Sequence, residues 1–123
     1  MRNHIIFLLF VLLLTACLPT PQPSDSGIEG AVTIGPMCPV MQANKPCPDR
    51  PYQAVLTVMT TNGKKVTQFQ TNENGLFRIE LGPGDYVLHP ESPNELPFAV
   101  DIPFTVYEHQ FTRLEISYDS GIR

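Results

Sequence analysis

The 123-residue sequence contains no tryptophan, only three cysteines and only three histidines. It lacks a G-x-S-x-G elbow, an H-E-x-x-H pair, a phosphate-binding P-loop and a glycine-rich dinucleotide fingerprint, so nothing in it points to the chemistries those motifs perform. Basic charge is also scarce: eight Lys and Arg stand against twelve Asp and Glu, a formal charge of −4. Nucleic acid and anionic lipid heads reward clustered Lys/Arg, and the chain offers no such footprint. A long apolar run is missing too. Ile5 to Leu14 is the longest, well short of the ~20 residues a membrane-spanning helix requires. The length allows one domain, and 42% hydrophobic with 16% charged residues is a globular composition.

What is present begins at the N-terminus. Arg2 supplies a positive start, Ile5 to Leu14 an unbroken apolar stretch, and Thr15 and Ala16 the small residues that close an export signal. Leu14-Thr15-Ala16-Cys17 resembles the lipobox of bacterial lipoproteins. The resemblance implies that residues 1–16 are a lipoprotein signal peptide and that Cys17 becomes the lipid-modified first residue of the mature protein. Each buried CH₂ of such an anchor contributes ~0.8 kcal/mol, and more than one acyl chain makes attachment stable. The expected partner of Cys17 is therefore the lipid bilayer. The expected location is the cell surface, or the periplasmic face of the outer membrane where two membranes exist, because Leu18 rather than Asp follows the cysteine. Leu18 to Ser26, "LPTPQPSDS", holds three prolines, and a proline-rich linker over 17–26 acts as a semi-rigid tether at ~3.1 Å per residue.

From Gly27 the dominant period is two, the signature of strands. Ile28, Gly30, Val32 and Ile34 share one face, as do Tyr52, Ala54, Leu56 and Val58. Asn62-Gly63 suits a tight hairpin, and Val66 to Gln70 forms the next strand. Phe77, Ile79 and Leu81 alternate with Arg78 and Glu80; Gly82-Pro83-Gly84 breaks that strand, and Tyr86 and Leu88 begin another. Phe98, Val100, Ile102, Phe104 and Val106 fall on one parity, followed by Leu114, Ile116 and Tyr118. The expected fold is all-β, a single seven-stranded sandwich over 27–123.

"TNENGLFRIELGPGDYVL", Thr71 to Leu88, resembles the strand, Pro-Gly turn and tyrosine strand of carboxypeptidase regulatory-like domains, which belong with transthyretin-like and Cna-B-type sandwiches. The resemblance implies a prealbumin-like or Ig-like topology and, at Pro83, Gly84 and Tyr86, a tyrosine-corner-like turn in which the phenol bonds back to the chain; a plain core tyrosine is the other reading. It implies no peptidase, whose zinc ligands belong to a different module. Some Cna-B-type domains carry an internal Lys–Asn bond, but Lys64 and Lys65 follow a hairpin turn and are expected to face solvent. "GPMCPV", "PCPDRPYQA" and "YDSGIR" resemble a lipoprotein subgroup with this domain.

Cys38 and Cys47 are the cysteines left for the domain. Outside the cytoplasm they are expected to pair, and prolines 36, 39, 46, 48 and 51 stiffen the loop that carries them. Their spacing is not that of a zinc site. The loop is either a recognition surface or a staple over a sheet edge. His89 and His109 read as exposed polar residues, and Asp85, Glu91, Glu95 and Asp101 lack the spacing of a calcium loop. No cofactor, metal or catalytic residue is expected. Asp119 and Arg123 either pair and pin the C-terminus or leave it frayed. The function expected is a structural or protein-interaction lipoprotein of the cell envelope, not an enzyme, with another envelope protein as partner. A carbohydrate-binding module is the alternative; Tyr52, Tyr86 and Tyr118 belong to the core pattern, which leaves Tyr107 and Phe111 to stack on sugars.

Overall fold

The structure, a computed structural model, describes residues 25–39 and 45–123. The expected signal peptide over 1–16, Cys17 and the proline-rich segment up to residue 24 lie outside the described residues. Eight strands follow in order: β1 Gly27–Gly35, β2 Arg50–Pro51, β3 Val55–Thr60, β4 Lys65–Gln70, β5 Leu76–Glu80, β6 Gly84–Pro90, β7 Ile102–Val106 and β8 Phe111–Asp119. The fold class is the one expected, an all-β two-sheet sandwich. The eighth strand is the two-residue β2, too short to show a period.

In the first sheet β1 is central. Parallel β8 pairs with it from Gly27↔Phe111 to Gly35↔Asp119. Its other flank is shared by β5, opposite Gly27 to Ala31, and β2, opposite Thr33 and Ile34. The second sheet runs β4-β3-β6-β7, antiparallel throughout. Alternation explains the core between them. Ile28, Val32, Leu56, Val58, Leu88 and Ile116 are all essentially inaccessible, and burying each such aliphatic side chain contributes about 1.5–3 kcal/mol. Among the described residues no buried side-chain nitrogen or oxygen lacks a partner.

Turn chemistry sets the registers. Asn72 Oδ1 accepts from the amides of Asn74 and Leu76, both at 2.9 Å, closing the β4–β5 connection. Gly75 sits there at φ +73°, where a Cβ would stand 2.3 Å from the Val32 carbonyl oxygen, so only glycine fits.

Two strand expectations change. The strand expected from Tyr52 starts at Val55; Tyr52 to Ala54 is irregular, although Ala54 is buried and Tyr52 N donates to Val32 O at 3.0 Å. The single parity expected for Phe98 to Val106 also fails. Phe98 is 51% and Val100 66% exposed, while the intervening Ala99 is buried. Phe98 bridges Asp119 at the end of β8, in the first sheet, whereas Ile102 to Val106 belongs to the second. The chain changes sheets between them, and the inward phase changes with it.

Candidate functional site

The ends of β1 define two poles, separated by nine residues at ~3.3 Å each, roughly 25–30 Å. At the entry pole the chain joins the sandwich. Ser26 is buried, its hydroxyl donating to Leu81 O at 2.7 Å while Leu81 N donates to Ser26 O at 3.0 Å. Beside it, Pro83, Gly84 and Tyr86 form the corner between β5 and β6. Gly84 has φ +153°, a region L side chains rarely adopt, and the Tyr86 hydroxyl donates to Gly82 O at 2.7 Å. The Tyr86 ring stacks on Phe104, centroids 5.5 Å apart. Exposed Asp25 and His109 pair across the surface here. Their contact raises the His109 pKa and lowers that of Asp25, chiefly through the hydrogen bond between them.

At the opposite, disulfide pole, Cys38 and Cys47 are bonded, their Cα atoms 6.1 Å apart. The C-terminal residues are pinned rather than frayed. Ser120 N donates to Gly35 O at 2.9 Å and its hydroxyl to Pro36 O at 2.5 Å, and Arg123 reaches Asp119 at 2.9 Å. Arg123's hydrogen bond, helped by the Gly121 amide, holds the Asp119 carboxyl down to about 2.

Tyr118, 1% exposed, ties this pole to the second sheet. It meets the Tyr52 ring edge-on at 4.8 Å, and its hydroxyl donates to Glu91 O at 2.9 Å. Burial first, then the neighbouring Tyr52 and Glu91, push its phenol up to about 12. Beside Tyr52 opens a cleft of about 310 Å³ lined by Tyr52, Gln53, Ala54, Val55, Glu91 and Pro93.

From the cleft a polar row crosses the outer face of the second sheet. Gln68 Nε2 donates to Thr57 Oγ1 at 2.9 Å, and Thr57 Oγ1 donates to Glu91 Oε1 at 2.7 Å. His89 Nε2 lies 3.8 Å from Glu91 Oε2, and His89 Nδ1 contacts Asp101 Oδ1 at 2.6 Å. This row answers the questions raised by His89 and the acids. Asp101 serves His89, Glu91 serves Thr57, and Asp85 accepts from Thr105 Oγ1 at 2.7 Å. Among the described residues no group of three or more His, Cys, Asp or Glu is arranged to hold a metal. Among the described residues the hydroxyl in the row, Thr57 Oγ1, is bonded to Glu91 and Gln68 and not to His89.

The row and the cleft are not visible as a sequence motif. Thr57 in the apolar run VLTVMT is the one local hint; the rest needs the register Thr57↔Gln68 and Thr57↔His89. Of the aromatics expected for sugar stacking, Tyr107 is 57% exposed at the entry pole. Phe111 is half-buried with the Arg78 guanidinium 3.5 Å above its ring, which closes that face to a ligand. Lys64 and Lys65 are both exposed.

Seven large apolar side chains are exposed among the described residues: Val55, Val66, Leu76, Leu96, Phe98, Val100 and Tyr107. Val55, Leu96, Phe98 and Val100 lie in or beside the connections at the disulfide pole, Leu76 pairs with Ala31 at the middle of β1, and Val66 and Tyr107 lie toward the entry pole.

No protein-family model matches the chain, and no curated protein matches it in sequence. Among solved structures it is similar to GBS52, the minor pilin of the Gram-positive pathogen Streptococcus agalactiae, with a TM-score of 0.56 over 77% of this chain and 44% of that one at 14% identity. It is also similar to the Bacillus anthracis TIE protein, with a TM-score of 0.50 over 77% of this chain and 17% of that one at 22% identity. The chain spans less than half the length of either. At these identities the likeness is one of fold: a sandwich domain of the kind found within a pilin.

Proposed function

We propose that this chain is a membrane-anchored lipoprotein of the cell envelope and acts as a protein-interaction module, with Cys17 lipidated, the proline-rich segment as tether and the disulfide pole turned toward a partner. The observation that carries this reading is the segregation of the exposed apolar side chains. Exposed apolar side chains gathered at one end of a domain suit an interaction surface, and Val55, Leu96, Phe98 and Val100 lie at the end remote from Ser26. A pilin among the structural neighbours supports an envelope role. The domain is assigned to the carboxypeptidase regulatory-like group on the Thr71 to Leu88 stretch, and we ascribe no catalysis to it. The carbohydrate-binding alternative has less support, because exposed Phe98 and Tyr107 lie at opposite poles and build no common stacking platform.

The test is photo-cross-linking in living cells with the reactive side chain at Phe98, compared with the same group at Pro83. The reading expects a reproducible protein adduct from Phe98 and none from Pro83, and release of the Cys17→Ser protein from the membrane fraction. Equal labelling from both positions, or glycan adducts alone, would sink it.

A further inference from the structure

Building on the protein-interaction reading, we infer that the cleft at the disulfide pole is a receptor for an arginine side chain of the partner polypeptide. Its walls are the half-buried Tyr52 ring, Ala54, Val55 and Pro93, an apolar slot suited to a methylene stem. Among the described residues its one charged lining residue is Glu91, and no Lys or Arg lines it. The carboxylate is held in place: Oε1 accepts the Thr57 hydroxyl, which is itself fixed by Gln68. Oε2 has no hydrogen bond among the described residues, since His89 Nε2 at 3.8 Å is beyond hydrogen-bond range. Gln53 donates one Nε2 hydrogen to Thr71 O at 3.1 Å, which holds its amide at the rim and leaves its carbonyl oxygen and second N–H for a ligand.

The cleft thus offers an aromatic ring, an aliphatic wall and a carboxylate, with no cationic side chain among the described residues that line it. The Glu91 charge disfavours carboxylates and phosphates, and the set suits a weakly hydrated, planar cation. Arginine meets it better than lysine because guanidinium both stacks on a ring and forks onto a carboxylate.

The experiment is an amide-shift titration of the ¹⁵N-labelled full chain, in detergent micelles, with the blocked peptide Ala-Ala-Arg-Ala-Ala and its norleucine counterpart. The arginine peptide should give saturable shifts at Gln53, Val55 and Glu91, and the norleucine peptide should bind about tenfold more weakly. Glu91→Gln keeps the acceptor for Thr57 and removes only the charge; it should weaken the arginine peptide by about fivefold. Glu115→Gln, on the outer face of the other sheet, should leave binding unchanged. The inference is overturned by equal binding of the two peptides, by Glu91→Gln binding like wild type, by equal losses in both variants, or by no shift at these amides. If those results come with a protein adduct at Phe98, the arginine receptor falls and the interaction reading stands; without the adduct both fall.

Discussion

The two poles of this sandwich are built on different principles. At the entry pole the connections are short: residues 61–64 join β3 to β4, 81–83 join β5 to β6 and 107–110 join β7 to β8. Main-chain hydrogen bonds, one tyrosine corner and an exposed ion pair suffice to hold them. The disulfide pole carries the long connections, residues 36–49 and 91–101, and there the chain adds a covalent bond, a buried tyrosine and a pinned C-terminus. Long connections are where binding surfaces reside, and holding one in place takes ties of its own. The reinforced pole is also the one with the cleft and with exposed Val55, Leu96, Phe98 and Val100. Reinforcement there presents a surface; at the entry pole the same physics only closes turns.

The most severe way to break this contrast is Tyr118→Ala. It empties a buried site and removes the hydroxyl that supports Glu91, and should destabilise by about 3–5 kcal/mol. Tyr118→Phe should cost about 0.5–1.5 kcal/mol, the range of one hydrogen bond. Denaturant unfolding measures both, and a Phe variant as unstable as the Ala variant would mean that the hydroxyl, not the packing, carries the site.

Replacing Cys38 and Cys47 by serine should cost about 2–3 kcal/mol in the chain-entropy account of a ten-residue loop. Hydrogen exchange sharpens the comparison: protection should fall at 91–101 and around Ser120 more than at 107–110. Equal loss at both ends would show that the poles are not independent.

At the entry pole, Tyr86→Phe removes the bond to Gly82 O and should cost about 0.5–1 kcal/mol, at the low end because the hydrogen bond is exposed. Faster exchange at residues 81–84, with the disulfide pole unchanged, is the expected signature. A wild-type melting temperature and wild-type exchange would reduce Tyr86 to a plain core tyrosine.

Most of the sandwich is legible in the sequence because half-buried strands write their own period: Phe77, Ile79 and Leu81 against Arg78 and Glu80 need no partner to be recognised. The two failures are physical. Phe98 and Val100 keep the parity of Ile102 to Val106, yet the chain crosses from one sheet to the other between them, and a one-dimensional pattern does not record which sheet sets the inward direction. The cleft and the polar row arise from cross-strand neighbours far apart in sequence, such as Thr57 with Glu91 and Gln53 with Thr71. No local pattern selects those pairs. Pairing of Cys38 with Cys47 was legible because the domain has only these two.

The smallest effect is at the surface of the entry pole, where it distinguishes a titrating clamp from an incidental contact. The Asp25 hydrogen bond raises His109 above its ordinary 6.5, so this contribution is fully present below 6.5 and is lost as pH rises through the higher folded value. Asp25 is lowered from its ordinary 3.8 by the same bond, so its share is present above 3.8 and lost as pH falls through the lower folded value. The clamp is therefore strongest between those two limits. Asp119 at the other pole, held to about 2 by Arg123, behaves as a carboxylate alone: its contribution is present above the ordinary 3.8, is lost only as pH falls through about 2, and does not change toward alkaline pH. Proton NMR of the His109 ring should give a midpoint above 6.5 that Asp25→Asn returns toward 6.5, with the Asp119 titration unmoved. Both partners are exposed, which makes the effect on overall stability small, so the midpoint is the quantity to measure. An unshifted His109 in the intact chain would leave Ser26 and the Tyr86 corner as the structural ties of the entry pole and remove the Asp25–His109 pH dependence from the comparison.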